Sequence, residues 1–449
     1  MLYDLVSCPH RVTMDLFADP AQRDGIDGLA LKRRGGATRG ALCYKDRVGT
    51  EVPTKCTHER TDMKLELTDE QRAMVGAVRQ LAQDRFKVRV KKWQDGTFPY
   101  ENLDDLAEIG VLGMAVPEKF GGLGLPVLDC VLVIEEVAKV CYVTAMAAMS
   151  AMGAQNRIIA TYAPKHVQEK FLPGVITNKV ILAICMTEPH AGTDVANYKT
   201  NTVIKGDTVV LNGTKTLISR ADEAHCFIVF TRVDNVPGAE GIGCVLVEPS
   251  TPGFEVTARY HTMGGENLAE IQFCDMALAR ENLIIERDGM KKLLSAFNTQ
   301  RCMNPAISLG LAEGAFEEAV KYVRHRTIKE RPLGTMQGMR WHLADMAREI
   351  EVSRSILYRA AASADPFPDP YLAALAKMQV NEMAIKVTSD ALQVHGGYGF
   401  TDEFPVSHFY RAARYGTLGG GATETLKDLV GKRVYDVFPP DGFLGFGLM

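Results

Sequence analysis

Hydrophobic residues first recur at helical spacing near residue 70. Thr68-Asp69-Glu70-Gln71 has the form of a capping box, in which the Thr hydroxyl and the Gln amide satisfy free backbone amides at the start of a helix. Apolar residues then fall on one helical face at Met74, Val75, Val78, Leu81 and Ala82. The pattern stays helical to about residue 175, broken by the loop signal Gly121-Gly122-Leu123-Gly124. We therefore predict an N-terminal helical domain over residues 63–179.

The pattern changes at residue 180 to short runs of β-branched and aromatic residues. Such runs predict strands at 180–186, 208–211, 227–233, 244–248 and 254–260. Asn212-Gly213, directly after the second run, is typical of a tight hairpin turn. The strands predict a central β domain over residues 180–287.

Helical spacing returns after Asp288. Apolar stripes at 312–323 and 343–357 predict two helices, and a third is predicted from Tyr371 to Val394, where Gly396-Gly397 ends it. The spacing predicts an antiparallel helical bundle over residues 288–437, which makes the fold class α+β. Residues 1–62 show no sustained periodicity and are expected to form a weakly ordered extension, and residues 438–449 a tail.

Composition and charge exclude several classes of protein. The 449 residues are 46% hydrophobic and 24% charged, as in a folded globular protein large enough for a buried cofactor. With 51 Lys and Arg against 55 Asp and Glu, no basic excess favours a nucleic-acid partner. No apolar run approaches the roughly 20 residues that crossing a bilayer requires. We predict neither a nucleic-acid partner nor a membrane span.

The cysteines and the start of the chain indicate a compartment. Ten cysteines are scattered without a C-x-x-C pair, as buried reduced thiols are. The first residues show neither a secretory signal nor a transit peptide pattern, so we expect a cytoplasmic protein. No metal-binding or nucleotide-hydrolysing motif occurs, and no metal site is predicted.

Residues 187–194 read Thr-Glu-Pro-His-Ala-Gly-Thr-Asp and follow the first predicted strand. The hydroxyls of Thr187 and Thr193 and the open backbone amide of Gly192 suit a polar planar ring and a phosphate. This run resembles the T-E-P-x-A-G-S/T-D signature of the acyl-CoA dehydrogenases, and the resemblance extends over about residues 64 to 437. It implies that family's fold, with a C-terminal four-helix bundle, a bound FAD and an acyl-CoA substrate in fatty acid metabolism.

The resemblance also implies the remaining cofactor contacts. Ser219 is similar to the hydroxyl residue that bonds the flavin N5 edge, and Leu217 stands where an aromatic side chain usually covers the ring. The adenine and pyrophosphate half would be held by Arg326, Gln337, Gln393, Gly396 and Gly397. Because the family supplies this half partly from a neighbouring subunit, the resemblance implies a homotetramer. The electron-transfer flavoprotein is the redox partner that the family implies.

The usual catalytic base is missing from both places where the family carries it. Most members have a glutamate in the loop before the last helix, where Gly420 stands here, and a minority have it on the first bundle helix, at Gln300. A neutral amide cannot accept the α-proton at useful rates. The backbone amide of Gly420 can still donate to the thioester oxygen, and Gln300 and Arg301 are expected to line the reacting end.

Three functions stay open on the sequence. The first is an oxidoreductase in which Glu424, one helical turn past Gly420, replaces the base; Glu136 and Asp129 are further carboxylates for that role. The second is a lyase that cleaves a β-substituent without net flavin reduction. The third is a catalytically silent CoA-binding member of an oligomer.

The lyase alternative follows from a narrower resemblance. The Gln300-Arg301 pair and the glycine-rich loop resemble the 3-sulfinopropionyl-CoA desulfinases within the family. Leu123 departs from that branch, which has an arginine there to hold the sulfinate. Lys119 is the cation nearest to Leu123 in the sequence.

Overall fold

The computed structural model describes residues 66–437. Over this range the chain forms helices, then a sheet, then helices, which confirms the predicted α+β order. The expectations for residues 1–62 and 438–449 lie outside the described residues.

The N-terminal helices surround a buried pair. They are α1 (Asp69–Leu81), α2 (Lys87–Arg89), α3 (Tyr100–Glu108), α4 (Val127–Ala138), α5 (Tyr142–Met152), α6 (Ala154–Tyr162) and α7 (Lys165–Ile176). The capping box is confirmed, because Thr68 and Gln71 each accept the other's backbone N–H. Nearly every residue of α4 and α5 is buried, so these two helices form the centre of the domain.

The central sheet separates two hydrophobic clusters. Its strands are β1 (Leu182–Cys185), β2 (Asn201–Lys205), β3 (Thr208–Ser219), β4 (Cys226–Val233), β5 (Ile242–Val247), β6 (Phe254–His261), β7 (Asn267–Ala279) and β8 (Leu283–Ile285). The order is β6-β7-β3-β2-β4-β5-β8, and β1 also pairs with β4. Side chains alternate along β4: Ile228 joins the core shared with the helices, and Phe227 and Val229 join the core on the other face.

The hairpin predicted at Asn212-Gly213 is wrong. Both residues lie inside β3, where a bulge shifts the register against β7 and Asn212 bonds Asp275 on the paired strand. The turn between β2 and β3 is formed instead by Gly206-Asp207, with Lys205 paired to Thr208. Gly206 has a φ of 61°, which suits glycine and lets two residues close the hairpin.

The C-terminal helices form the predicted antiparallel bundle. They are α8 (Gly289–His325), α9 (Gln337–Ala362), α10 (Pro370–His395), α11 (Val406–Ala413) and α12 (Thr423–Val437), with a small hairpin of β9 (Thr327–Ile328) and β10 (Arg331–Pro332) after α8. With 37 residues, α8 spans about 55 Å. The rings of Tyr322 and His395 lie 4.3 Å apart, which brings the C-terminal ends of α8 and α10 together. Between residues 66 and 437, no helix is both long enough and apolar enough to cross a bilayer.

Candidate active site

A glycine-rich loop joins α11 to α12 and includes Gly420. Gly420 and Gly421 have φ values of 71° and 98°, in the left-handed region where a side chain is strained. A Cβ atom at position 420 would lie 3.5 Å from Cε of Lys377. The loop therefore presents backbone and no carboxylate at Gly420.

The side chain of Lys377, on α10, is hydrogen-bonded to this loop. Its side chain is 1% exposed, and Nζ donates to the carbonyl oxygens of Gly416 at 2.9 Å and Gly421 at 2.8 Å. Asn381, one turn further along α10, donates to the same Gly416 oxygen at 2.7 Å. Burial, reinforced by the charge of Arg301, lowers the pKa of Lys377 to about 7. The loop is thus tied to α10 on both sides of Gly420.

Gln300 and Arg301 are buried in the middle of α8. Gln300 Nε2 lies 3.0 Å from Sδ of Met149 on α5. Arg301 donates from Nη1 to Asn298 Oδ1 at 2.9 Å, and burial lowers the pKa of its guanidinium. The structure therefore places Gln300 against α5, and Arg301 close enough to Lys377 to influence its charge.

Buried polar atoms that lack a protein partner are concentrated around this part of α8. Within residues 66–437 they include Gln155 Nε2 and Oε1, Thr299 Oγ1, Gln300 Oε1, Arg301 Nε and Asn381 Oδ1. A Cβ atom at Gly153 would lie 2.7 Å from Gln300 Oε1 and 3.2 Å from Gln155 Oε1, so these side chains share one small space. Since unpaired buried polar atoms are costly, the cluster fits a polar ligand.

The carboxylates proposed as replacement bases lie elsewhere. Glu136 pairs with Arg79 at 2.7 Å and Lys139 at 3.0 Å, and Asp129 accepts from Gln71 at 2.7 Å, all within the N-terminal helices. Glu424 is exposed in the first turn of α12. No hydrogen bond or ion pair within the described range joins Glu424 to Gln300 or Arg301, and its role as surrogate base stays a prediction.

A buried ion pair holds the turn that follows β1 in place. Glu188 accepts from Lys215 Nζ at 2.8 Å and from the backbone amides of Lys199 and Thr200. Burial lowers the pKa of Lys215 to about 8 despite the attraction of Glu188. Burial opposes ionisation of Glu188, but Lys215 and the amides prevail and lower its pKa. This pair anchors the turn that carries the predicted flavin contacts.

The outer face of this turn fits the FAD that the fold implies. Gly192 and Thr193 are exposed, and a Cβ atom on Gly192 would meet nothing within 4 Å. The carbonyl of Thr187 accepts the Thr216 amide at 2.9 Å, which joins the turn to β3. At the end of β3, Ser219 is half-buried and Leu217 is 54% exposed. Hydroxyls, an open amide and an apolar side chain thus share one accessible surface, as a flavin ring requires.

An open cleft lies next to Ser219 and extends to Val143, Met146 and Ala147 of α5. Arg220 lines it, with only 7% exposure, and donates from Nη1 to the Met146 carbonyl at 2.7 Å. Glu223 and Glu266 line it too. Burial and the neighbouring Asp222 raise the pKa of Glu223, whereas Glu266 accepts from Tyr142 at 2.7 Å. The cleft is therefore charged at its outer end.

The residues predicted for the adenine half lie together at the far end of the bundle. Leu333 donates to the Arg326 carbonyl at 2.7 Å, which turns the chain from α8 towards α9. All of them are exposed: Arg326, Gln337, Gln393, Gly396 and Gly397. Arg326 follows Arg301 by about 25 residues, or about 37 Å along the helix. The structure therefore separates this group from Gln300, Arg301 and Gly420.

Sequence reasoning missed Lys377, Lys215 and Arg220. A signal for Lys377 existed, because it shares a heptad-like stripe of α10 with Ala373, Val380 and Ala384, all of them buried. A lysine on a core stripe is rare and calls for partners. Its partners, however, lie about 40 residues away in a loop, which spacing along the chain does not show.

Comparison with known protein families agrees with this architecture. The acyl-CoA dehydrogenase N-terminal domain model matches residues 68–179, the middle domain model residues 183–276 and the C-terminal domain model residues 287–435. These matches, with the helical, β and helical domains, define an enzyme of CoA-thioester chemistry. The chain belongs to the acyl-CoA dehydrogenase family.

Individual relatives are similar over almost their whole length. The 3-sulfinopropanoyl-CoA desulfinase of Advenella mimigardefordensis is 35% identical over 84% of this chain and 98% of its own. The acryloyl-CoA reductase (NADH) of Anaerotignum propionicum is 33% identical over 83% of this chain and 96% of its own. The solved structure of butyryl-CoA dehydrogenase from Megasphaera elsdenii superposes with a TM-score of 0.79 at 30% identity, covering 83% of this chain and 100% of that one.

Proposed function

We propose that this protein is an FAD-dependent acyl-CoA enzyme that releases a β-substituent, such as a sulfinate, without net reduction of the flavin. The observation that carries the proposal is the Gly420 loop, which offers a backbone amide where a dehydrogenase needs a carboxylate. Gln300, at the alternative position, is neutral and buried. The similarity to a 3-sulfinopropanoyl-CoA desulfinase supports the same reaction.

The proposed reaction balances without an external oxidant. The bond between the β-carbon and sulfur breaks, the carbon gains a proton, and sulfur takes a hydroxyl from water and leaves as sulfite. The electron pair of the broken bond stays on the β-carbon, which takes the proton, and the Gly420 N–H would donate to the thioester oxygen and position the acyl chain for this step. When bound, FAD supplies a ribityl hydroxyl as the second donor to that oxygen. In this proposal Gln300 and Arg301 line the reacting end of the acyl chain.

A second candidate is a redox reaction on an acyl-CoA, with the electron-transfer flavoprotein or a reduced nicotinamide as partner. It is favoured by Glu223, a carboxylate with raised pKa in the cleft beside Ser219, and by the similarity to an acryloyl-CoA reductase. Glu424 is the other carboxylate that this reaction would use.

The two candidates differ in what happens to the flavin. We expect 3-sulfinopropanoyl-CoA to yield sulfite and propanoyl-CoA under anaerobic conditions while the visible flavin absorbance stays oxidised. Bleaching by butanoyl-CoA, with no sulfite from the sulfinated thioester, would select the redox reaction instead. Binding of both thioesters without any turnover would identify a silent CoA-binding protein.

Two carboxylate variants serve as controls in this assay. Glu223→Gln and Glu424→Gln should each release sulfite within about twofold of the wild-type rate, because neither group acts in the proposed reaction. A drop of a hundredfold or more in either variant, with FAD content unchanged, would assign proton transfer to that carboxylate.

We further propose a homotetramer in which FAD bridges two subunits. The residues for the flavin half and those for the adenine half lie on opposite parts of one chain, with about 37 Å along α8 between Arg301 and Arg326. Large apolar side chains are exposed near the adenine half, with Tyr398 at 54% and Phe400 at 89%. Such exposure supports burial against another subunit.

A further inference from the structure

Two buried cations stand together beneath the Gly420 loop. Lys377 is 1% exposed and Arg301 is 8% exposed. Across residues 66–437, no carboxylate forms an ion pair with either side chain. Lys377 donates only to backbone carbonyls, and Arg301 to the neutral amide of Asn298. The positive charges of the pair are therefore not neutralised by the protein.

This arrangement is unfavourable unless something else supplies negative charge. Burial disfavours the charged form of both groups, and the charge of Arg301 further disfavours a proton on Lys377. The buried Lys215, by contrast, bonds the carboxylate of Glu188, and the buried Arg220 lies near Glu223 and Glu266. Positions 420 and 300, which lie beside the pair, are neutral and supply no such compensation.

We propose that Arg301 and Lys377 form an anion subsite, so that the substrates of this protein are acyl-CoA thioesters with a carboxylate or sulfinate on the acyl chain. The inference rests on the proposed acyl-CoA site and names its substrate class. Arg301 Nε has no protein partner and is available to an incoming oxygen. The subsite lies beside Gly420, so the anion and the thioester belong to the same short acyl chain.

The subsite also provides a positive charge for the anion, which the leucine at position 123 does not supply. Leu123 lies in the loop at residues 121–124, is 51% exposed and offers no charge to a ligand. Burial lowers the pKa of the cleft arginine, Arg220, and the nearby Tyr415, Glu223 and Glu266 partly oppose that shift. The two carboxylates compete with a ligand for its charge. Arg301 and Lys377 have no such competitors, so an anionic acyl chain interacts most favourably with them.

The test compares two ligands that share the whole CoA moiety. We expect the holoenzyme to bind succinyl-CoA at least about tenfold more tightly than butanoyl-CoA in isothermal titration at neutral pH. In Arg301→Met and Lys377→Met this ratio should fall to about threefold or less, whatever change in affinity the two ligands share. Equal affinities of the wild-type protein for the two ligands would overturn the proposal without any variant.

Lys386→Met is the matched control. Lys386 is an exposed lysine on the same helix, paired with Asp390 at 3.0 Å, so its loss should leave the ratio unchanged. FAD content and melting temperature establish that each variant is folded. If Arg301→Met and Lys377→Met do not fold, Lys377→Arg is measured instead. It retains the positive charge and should retain the preference for succinyl-CoA over butanoyl-CoA. An unchanged ratio in a folded Arg301→Met protein would contradict the subsite.

Failure of the subsite is distinguishable from failure of the proposed reaction. Sulfite release without a preference for anionic acyl chains would leave the reaction standing and remove the subsite. A preference for succinyl-CoA that depends on Arg301, in a protein that releases no sulfite, would do the reverse.

Discussion

At the scale of single residues, the proposed site rests on Gly420, Gln300 and Lys377. The sequence predicts that the usual base is missing, because Gly420 and Gln300 stand at positions that motifs locate without any structure. It does not predict Lys377, whose bonds to Gly416 and Gly421 depend on how α10 packs against the loop. The absence of a motif residue can be predicted from spacing along the chain, whereas the side chains that pack around that position become visible only in the folded structure.

The low pKa of Lys377, about 7, predicts a pH dependence with a definite sign. The amine is charged below this pH and neutral above it, and an anion binds the charged form more tightly. Affinity for succinyl-CoA should therefore fall roughly tenfold between about pH 6 and about pH 8, and then level off because Arg301 stays charged. Butanoyl-CoA titrated over the same range should show no such fall, and an equal slope for both ligands would contradict the assignment.

The contribution of Lys377 to folding stability has the opposite dependence on pH. The unfolded lysine has a pKa near 10.5, so the unfolded chain binds more protons than the folded one between about pH 7 and about pH 10.5. The contribution of Lys377 to stability without ligand therefore rises with pH over this window. An acidic ligand reverses this trend, because it favours the charged amine.

At the scale of elements, β3 shows where local signals succeed and fail. Its alternating pattern predicts a strand, but Asn212-Gly213 is read as a turn, because the dipeptide also occurs in bulges and only the pairing with β7 decides. The strand continues to Ser219 and carries Lys215 to Glu188 under the flavin turn. A turn at residue 212 would have paired Lys215 and Ser219 back against the start of β3 instead of against β7, so the bulge is part of how the site is built.

The helices of the bundle were more predictable than the strands. The stripes of α9 and α10 are long and periodic, and the structure places their apolar residues in one core. The sequence does not predict strands β2 and β7, because polar residues interrupt the apolar ones along both and leave no long apolar run. Strand pairing is a long-range property, and single-sequence patterns contain little of it.

At the scale of the whole molecule, the proposed shared FAD site predicts complementation between two defective variants. Gly192→Trp fills the open flavin surface, and Arg326→Glu repels the pyrophosphate from the adenine half. Each variant alone should retain little FAD. After mixed refolding or co-expression, random pairing should restore about a quarter of the wild-type FAD content, because each mixed pair has one intact site. FAD content that stays at the level of the separate variants would show that one chain holds the whole cofactor.

The central claim is that no carboxylate of this protein removes a proton from the α-carbon of the bound thioester. The most direct measurement is the exchange of α-hydrogens of butanoyl-CoA with deuterium oxide on the holoenzyme, followed by nuclear magnetic resonance. We expect exchange no faster than in buffer for the wild-type protein, and faster exchange for Gln300→Glu, which introduces a carboxylate where the family resemblance implies one. Rapid exchange by the wild-type protein would show that one of its own carboxylates removes the proton.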